Sequence, residues 1–501
     1  MPNQSRLRRK LTKGKFRKLA RVLRGYDLLE CLYVCHAYIS FLQSDNGLPG
    51  DVERPPFEVE RGIDLRSRGL CEWRLETLIG EAMLFAENSS ENSLRSWNEL
   101  AVVMNSVGKT HNALHSSGRD IWISMMLTVA QQHHWQVGVS NRMVCRYLGL
   151  LQHPRVSPHI LATYECSPEI LVRAAYGLYS HFSVTLDAPE QLGFESIGID
   201  PTLGQSIVNR VSADQVDLTE RISASRTFDE RMIYGMSPLL VTPIIRYQNS
   251  NRLLCPIPYY LFKRILEGAY FDCLHRDGFG NDYGQAFEDY VFEFLNRVSD
   301  PNSTKLQRDV PYGTPQRSKR STDVVFSTQR STYFIECKVK KMPMAIRDAS
   351  ASFDEIKREV DKIVDATVQA YRSLNDLEHG EYEVEVDVHD RKFIVILTLE
   401  KWHLFGRSIT DYFDTELRTK LENKCIDTTL LERAPFRLLS CDEFELASYT
   451  VLKTENDDFF DDVVADKRWY EPTPTFTRAF AAAGLTYDNP FEEELNAVLN
   501  I

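Results

Sequence analysis

No two cysteines in this chain are spaced C-x-x-C, although there are ten, at 31, 35, 71, 145, 166, 255, 273, 337, 425 and 441. That scatter gives neither a zinc ribbon nor a disulfide framework, and reduced thiols in a cytoplasmic protein fit it better. A glycine-rich phosphate loop of the P-loop kind is missing, and so is any internal repeat. Long apolar runs are scarce too. The longest near the N-terminus, LLECLYVCHAYISFL at 28–42, is broken by Glu30 and His36 and is too short to span a bilayer. A basic stretch precedes it, as in a signal peptide, but no small-x-small cleavage site follows, so it is expected to form a buried helix. The net charge of −12 argues against a non-specific nucleic-acid coat over the whole surface, though not against a local basic patch.

The chain does have an ordinary globular composition, 43% hydrophobic and 26% charged over 501 residues, enough for two to four domains. Residues 5–25 hold ten Lys/Arg and no acid, with Leu19, Val22, Leu23 and Tyr26 at helical spacing. This is a basic helix that touches phosphates or, equally, a solvated helical face. From 71 to about 190 the pattern is helical, and 186–230 is more polar and also helical. His133 and His134 are adjacent and cannot share a helix face, which speaks against a metal site there. Two short apolar segments broken by prolines fill 237–266.

The third quarter differs. GQAFEDYVFEFLNRV, 284–298, puts Phe287, Tyr290, Val291, Phe294 and Leu295 on one helical stripe. KLQRDVPYG, 305–313, suggests a strand. Residues 317–341 read as a β-hairpin turning near Ser327–Ser331. SFDEIKREVDKIVDATVQAYRSL, 352–374, is a long amphipathic helix, and KFIVILTLE, 392–400, is a buried strand. Residues 441–501 carry 14 Asp/Glu against 4 Lys/Arg, which is a solvated acidic surface unless a partner or the basic parts of the molecule meet it.

Within YFIECKVKK, 333–341, Glu336 and Lys338 are two residues apart and share one strand face, while Ile335, Cys337 and Val339 line the other. Pairing of the hairpin arms brings Asp323 close to Glu336. Two carboxylates in one partly buried place repel, and a divalent cation relieves them; Mg²⁺ or Mn²⁺ suits such oxygen ligands, with the Cys337 carbonyl as a neutral addition. Lys338 would orient a water and stabilise charge on phosphate oxygens. Glu288, one helix earlier, would reach the same metal, and Gly284 one turn before it would let the helix approach the sheet closely. Between 301 and 347 ten basic residues face three acids, and Arg317, Lys319, Arg320, Arg330, Lys340 and Lys341 are the expected contacts for a phosphate backbone.

Asp323 followed by Glu336-Cys337-Lys338, with Glu288 on the preceding helix, resembles the PD-(D/E)xK nuclease superfamily. Gly284-x-x-x-Glu288 and Gln369 on the following helix look like the RecB-like branch. Two positions depart from that pattern: Thr322 stands where the superfamily has proline, and Ser373, four residues after Gln369, stands where the branch has tyrosine. The resemblance covers about a quarter of the chain. It implies an α/β nuclease core, a mixed sheet flanked by helices, preceded by a large mainly helical N-terminal region. The corresponding division is a basic helical segment at 1–70, a mainly helical domain at 71–275, the nuclease-like domain at 276–410 and an acidic region packed on it at 411–501. The implied activity is Mg²⁺-dependent endonucleolytic hydrolysis of nucleic acid, usually DNA, as in bacterial defence or restriction. Asp323, Glu336, Lys338, Glu288 and Gln369 would be the catalytic set. The implied partners are nucleic acid and either a second copy of the chain or a protein on the helical half, with no membrane. The competing reading is a non-catalytic binding or scaffold protein that keeps such a fold.

Overall fold

The computed structural model describes residues 2–43, 47–57, 62–87, 92–114, 139–229, 231–248, 250–339, 352–402, 407–458, 460 and 473–500. Lys340, Lys341, His133 and His134 lie outside them, as does the side chain of Arg317.

The protein is a mixed α/β structure with a helical N-terminal region. Helices Pro2–Leu23, Leu28–Gln43, Glu72–Phe85 and Trp97–Leu114 pack together through Leu19, Leu23, Leu32, Leu75, Leu78 and Val103. The 28–42 run is the buried helix its sequence suggests: the His36 ring nitrogen Nε2 lies 2.6 Å from the Phe182 carbonyl, and Glu30 pairs with Arg95. Among the described residues no helix is long and apolar enough to cross a membrane. The region expected to be mainly helical also holds a small sheet. Its strands are β1 (Asp187–Pro189), β2 (Ser212–Asp214), β3 (Ile244–Arg246) and β4 (Arg252–Leu254), in the order β1-β4-β3-β2. Three-residue strands are too short to leave a two-residue alternation in the sequence.

The main sheet is built from β5 (Lys305–Arg308), β8 (Val324–Ser327), β9 (Thr332–Lys338), β10 (Lys392–Thr398) and β11 (Phe436–Ser440), in the order β11-β10-β9-β8-β5. A separate two-stranded ribbon, β6 (Pro311–Thr314) with β7 (Arg317–Arg320), rises between β5 and β8. The stretch from 317 is therefore not one hairpin arm. β7 returns to β6, and the hairpin proper is β8–β9, closed at Ser327↔Thr332. β9, β10 and β11 run parallel, while β8 and β5 are antiparallel additions.

Parallel neighbours require crossovers, and helices supply them: Phe353–Glu378 joins β9 to β10, and Arg407–Asn423 lies between β10 and β11. Both cover one face of the sheet, where Ile363, Val364, Phe413 and Leu417 meet Val325, Phe334, Ile394 and Ile396. Helices Phe279–Val298 and Cys441–Thr454 cover the other face, on Tyr333, Ile335 and Val395. Burial on both faces explains why β10 reads as an uninterrupted apolar run. A capping box starts the first crossover: Ser352 Oγ accepts the Glu355 N–H, and the Glu355 carboxylate accepts the Ser352 N–H at 2.6 Å. The core does not stop near residue 275. Leu261, Phe262 and Ile265 share one cluster with Phe287, Val291 and the sheet. The sheet also takes its edge strand, β11, from beyond residue 410.

Candidate active site

β8 and β9 pair with Val324 opposite Ile335, so the next position sets Asp323 opposite Glu336, just where the β8 ladder ends. Phe334, Glu336 and Lys338 share one face by alternation, the face covered by helix Phe353–Glu378. Cys337 points to the opposite face, packs in the core there, and has its thiol pushed well up by burial. Its N–H donates to Asp323 Oδ2 at 2.6 Å. A residue's N–H and C=O leave a strand on the same side. The Cys337 carbonyl therefore faces the Asp323 edge too.

Glu336 is fully buried. Lys338 Nζ lies 2.6 Å from its Oε1, and among the described residues its Oε2 has no hydrogen-bond partner. Burial raises the Glu336 carboxyl to about 8, with Asp323 adding to the rise and Lys338 opposing it. Asp323 is raised by burial as well, held back by Lys338 and by the Cys337 N–H. Glu288, half-buried on helix Phe279–Val298, is raised to about 7 by burial and then by the charge of Asp323. Gln285 Nε2 donates to Glu288 Oε2 at 3.2 Å. Burial pulls the Lys338 ammonium down, but Glu336 and Asp323 more than offset it, so it is held charged. Three carboxyl groups thus feel one ammonium, and protons fill the deficit.

The donor chemistry suits a hard divalent cation: two facing carboxylates, an orphaned buried carboxylate oxygen and a carbonyl on the same edge. Among the described residues no three His, Cys, Asp or Glu side chains gather into a metal-holding cluster on their own. A cation here would depend on Asp323, Glu336 and the Cys337 carbonyl, with water completing its shell.

Gln369 lies half-buried on the crossover helix, and its side chain forms no hydrogen bond with a described residue. Ser373, one turn further on the same face, accepts the Thr322 N–H at 3.1 Å, so this stripe runs past the strand that carries Asp323. Gly284 does not do what its size suggests. A Cβ added there would meet nothing within 4 Å, so the close packing of this helix does not need glycine. Glycine is required instead at Gly278, before the helix start, where φ is +75°.

The expected phosphate contacts do not converge. Lys319 Nζ donates to Asp376 at 2.9 Å and Glu381 at 2.8 Å, and Arg320 pairs with Asp309. Arg330 pairs with Asp458 at the hairpin turn, six residues from Glu336 along β9, or about 20 Å. Of these, Arg320 is the one whose charge reaches Asp323 and Glu288. Asp309 is a further acid at the site that its local sequence does not mark. Its N–H donates to the Asp323 carbonyl at 3.0 Å, and its carboxylate raises both Asp323 and Glu288. The only local signal was an acid at the end of a strand, which is too common to single out.

No family model matches the chain, and no curated protein or solved structure matches it either.

Proposed function

We propose that this protein is a metal-dependent nuclease acting on nucleic acid, DNA in the first instance. One observation carries the reading: Asp323 and Glu336 face each other at the end of the β8–β9 ladder, with Lys338 on one Glu336 oxygen and the other buried without a partner among the described residues. Asp323, Glu336 and the Cys337 carbonyl would hold Mg²⁺ or Mn²⁺. When bound, such an ion polarises a phosphoryl oxygen and acidifies a water. Lys338 then exchanges Glu336 for the charge developing on the phosphate. Glu288, half-buried and raised to about 7, is suited to accept the proton of the attacking water near neutral pH. Arg320, whose charge reaches Asp323 and Glu288, would meet the phosphate beside them.

The pairing of Lys319, Arg320 and Arg330 with acids favours a second reading, a scaffold that keeps this sheet without cutting. Cleavage separates the two. Plasmid and single-stranded substrates are incubated with wild type, Glu336→Ala and Lys338→Ala, with Mg²⁺, Mn²⁺ or EDTA. Cutting by wild type alone, abolished by EDTA, is expected. Equal cutting by Glu336→Ala sinks the assignment, and absence of cutting together with absence of Mn²⁺ binding by wild type leaves the scaffold.

A further inference from the structure

The basic helix Pro2–Leu23 has a use that the nuclease reading does not absorb. Lys13, Arg17 and Arg21 fall at intervals of four and form one stripe along it, which Arg24 extends one residue past the helix end. That stripe walls a cleft of about 400 Å³, closed on the other side by Phe85, Arg226 and Phe228. Like charges one turn apart destabilise a helix by roughly 0.2–0.5 kcal/mol per pair, and the helix contains no acid to relieve them. Among the described residues none of the four stripe cations forms an ion pair; Lys13 lies over the Phe228 ring at 5.1 Å.

Among the described residues Arg226 is the one cation of the cleft with a carboxylate. Its Nη2 lies 2.9 Å from Glu81, and its guanidinium sits 4.9–5.5 Å from the ring centres of Phe16, Phe85 and Phe228. This fixes one guanidinium in the cleft lining, while the stripe cations pair with no acid among the described residues. The cleft is therefore lined by five cations, of which Glu81 pairs with one from outside the lining, and four of the five are arginines, whose forked donors match phosphate oxygens in pairs. Its volume falls within the range of small-ligand pockets, and a duplex-tracking groove would have to be far longer.

We propose that this cleft binds a small polyphosphate-bearing ligand, independently of the Asp323–Glu336 site. Inorganic polyphosphate and a nucleoside triphosphate share the chemistry. A nucleotide would add contact between its base and the exposed parts of Phe85 and Phe228.

Calorimetric titration of the full chain at low salt, with tripolyphosphate and with ATP in separate runs, tests it. Wild type is expected to bind at least one of them. The double variant R17E/R21E, both at exposed positions, is expected to bind at least tenfold more weakly while keeping the wild-type circular dichroism. Arg24→Ala, a milder change, is expected to weaken binding in the same direction. Glu336→Ala is expected to bind as wild type does. Equal affinity for the two ligands identifies phosphate alone as the recognised group; tenfold tighter ATP identifies a nucleotide. Binding of neither, or binding that R17E/R21E leaves unchanged, overturns the proposal. So does binding of a single-stranded oligonucleotide through the stripe without binding of ATP or tripolyphosphate, because the stripe is then a nucleic-acid track.

Discussion

The Thr322 N–H donates to Ser373 Oγ at 3.1 Å, and both residues stand where the nuclease pattern has something else. Proline at 322 would carry no N–H. Serine at 373 gives that donor its acceptor, and Tyr382 approaches from another segment, its hydroxyl 2.7 Å from the same Oγ. The two departures are therefore a matched pair. Ser373→Ala leaves a buried N–H unpaired and is expected to cost about 1–3 kcal/mol. In a Thr322→Pro background the same change is expected to cost less, since no donor remains. A double-mutant cycle by denaturant unfolding measures this. Additive losses would show that the bond contributes nothing.

The site's titration gives a second prediction. Glu336 holds its proton to about 8 in the folded chain, against the ordinary carboxylate value when unfolded. Between those values the unfolded state has lost the proton and the folded state has kept it. Stability therefore falls as pH rises through that window, and is unaffected by this group below it. Thermal melts of metal-free wild type are expected to drop more between pH 5 and pH 8 than those of Glu336→Gln. Parallel curves would remove the buried carboxyl as their cause.

A cation bound at Asp323 and Glu336, as proposed, would replace those protons, so Mg²⁺ or Mn²⁺ is expected to raise the melting temperature, and more at pH 8 than at pH 5. Saturation at a hundredfold excess over Kd corresponds to about 2.7 kcal/mol. The shift is expected to vanish in the Asp323→Asn, Glu336→Gln variant. In Lys338→Met it is expected to persist while cleavage falls by about 10²–10³, the usual loss for one donor to a developing charge. A Lys338→Met protein that cuts at the wild-type rate would remove Lys338 from the chemistry.

Local spacing carried much of this structure. The alternation around Glu336 placed it and Lys338 on one face, the apolar stripe of 352–374 marked the crossover helix, and the turn between Ser327 and Thr332 was visible in composition. What stayed hidden depends on partners far along the chain. Lys319 meets Asp376 and Glu381 about sixty residues later, so its charge is spoken for in a way no window reveals. Asp309 gains meaning from its bond to the Asp323 backbone. Strand β11 joins the sheet from inside the region 411–501, which reads as an acidic addition to the core.

Gly284 tests the open space beside Glu288. With room for a Cβ and no positive φ, Gly284→Ala is expected to stabilise the helix by roughly 0.5–1 kcal/mol, through lost backbone freedom in the unfolded chain. A lower melting temperature would show that this helix packs more tightly there than the structure has it.

Arg146 ties helix Asn141–Gln152 to helix Cys441–Thr454, some three hundred residues further along the chain. Its guanidinium bonds both oxygens of Glu445, at 2.8 and 2.9 Å, and Asp442 at 2.5 Å, while the Tyr290 hydroxyl donates to the same Glu445 at 2.7 Å. Arg146 and Glu445 are both buried, so the pair has left water entirely. Arg146→Met strands the Glu445 carboxylate, with Arg142 at 3.3 Å as a partial substitute, and is expected to cost about 3–5 kcal/mol. Replacing both, Arg146→Met with Glu445→Met, is expected to recover most of that loss, because no buried charge then lacks a partner. Urea midpoints of the three variants decide it. A double variant as unstable as Arg146→Met alone would mean that shape, and not charge, fixes helix Asn141–Gln152 on helix Cys441–Thr454.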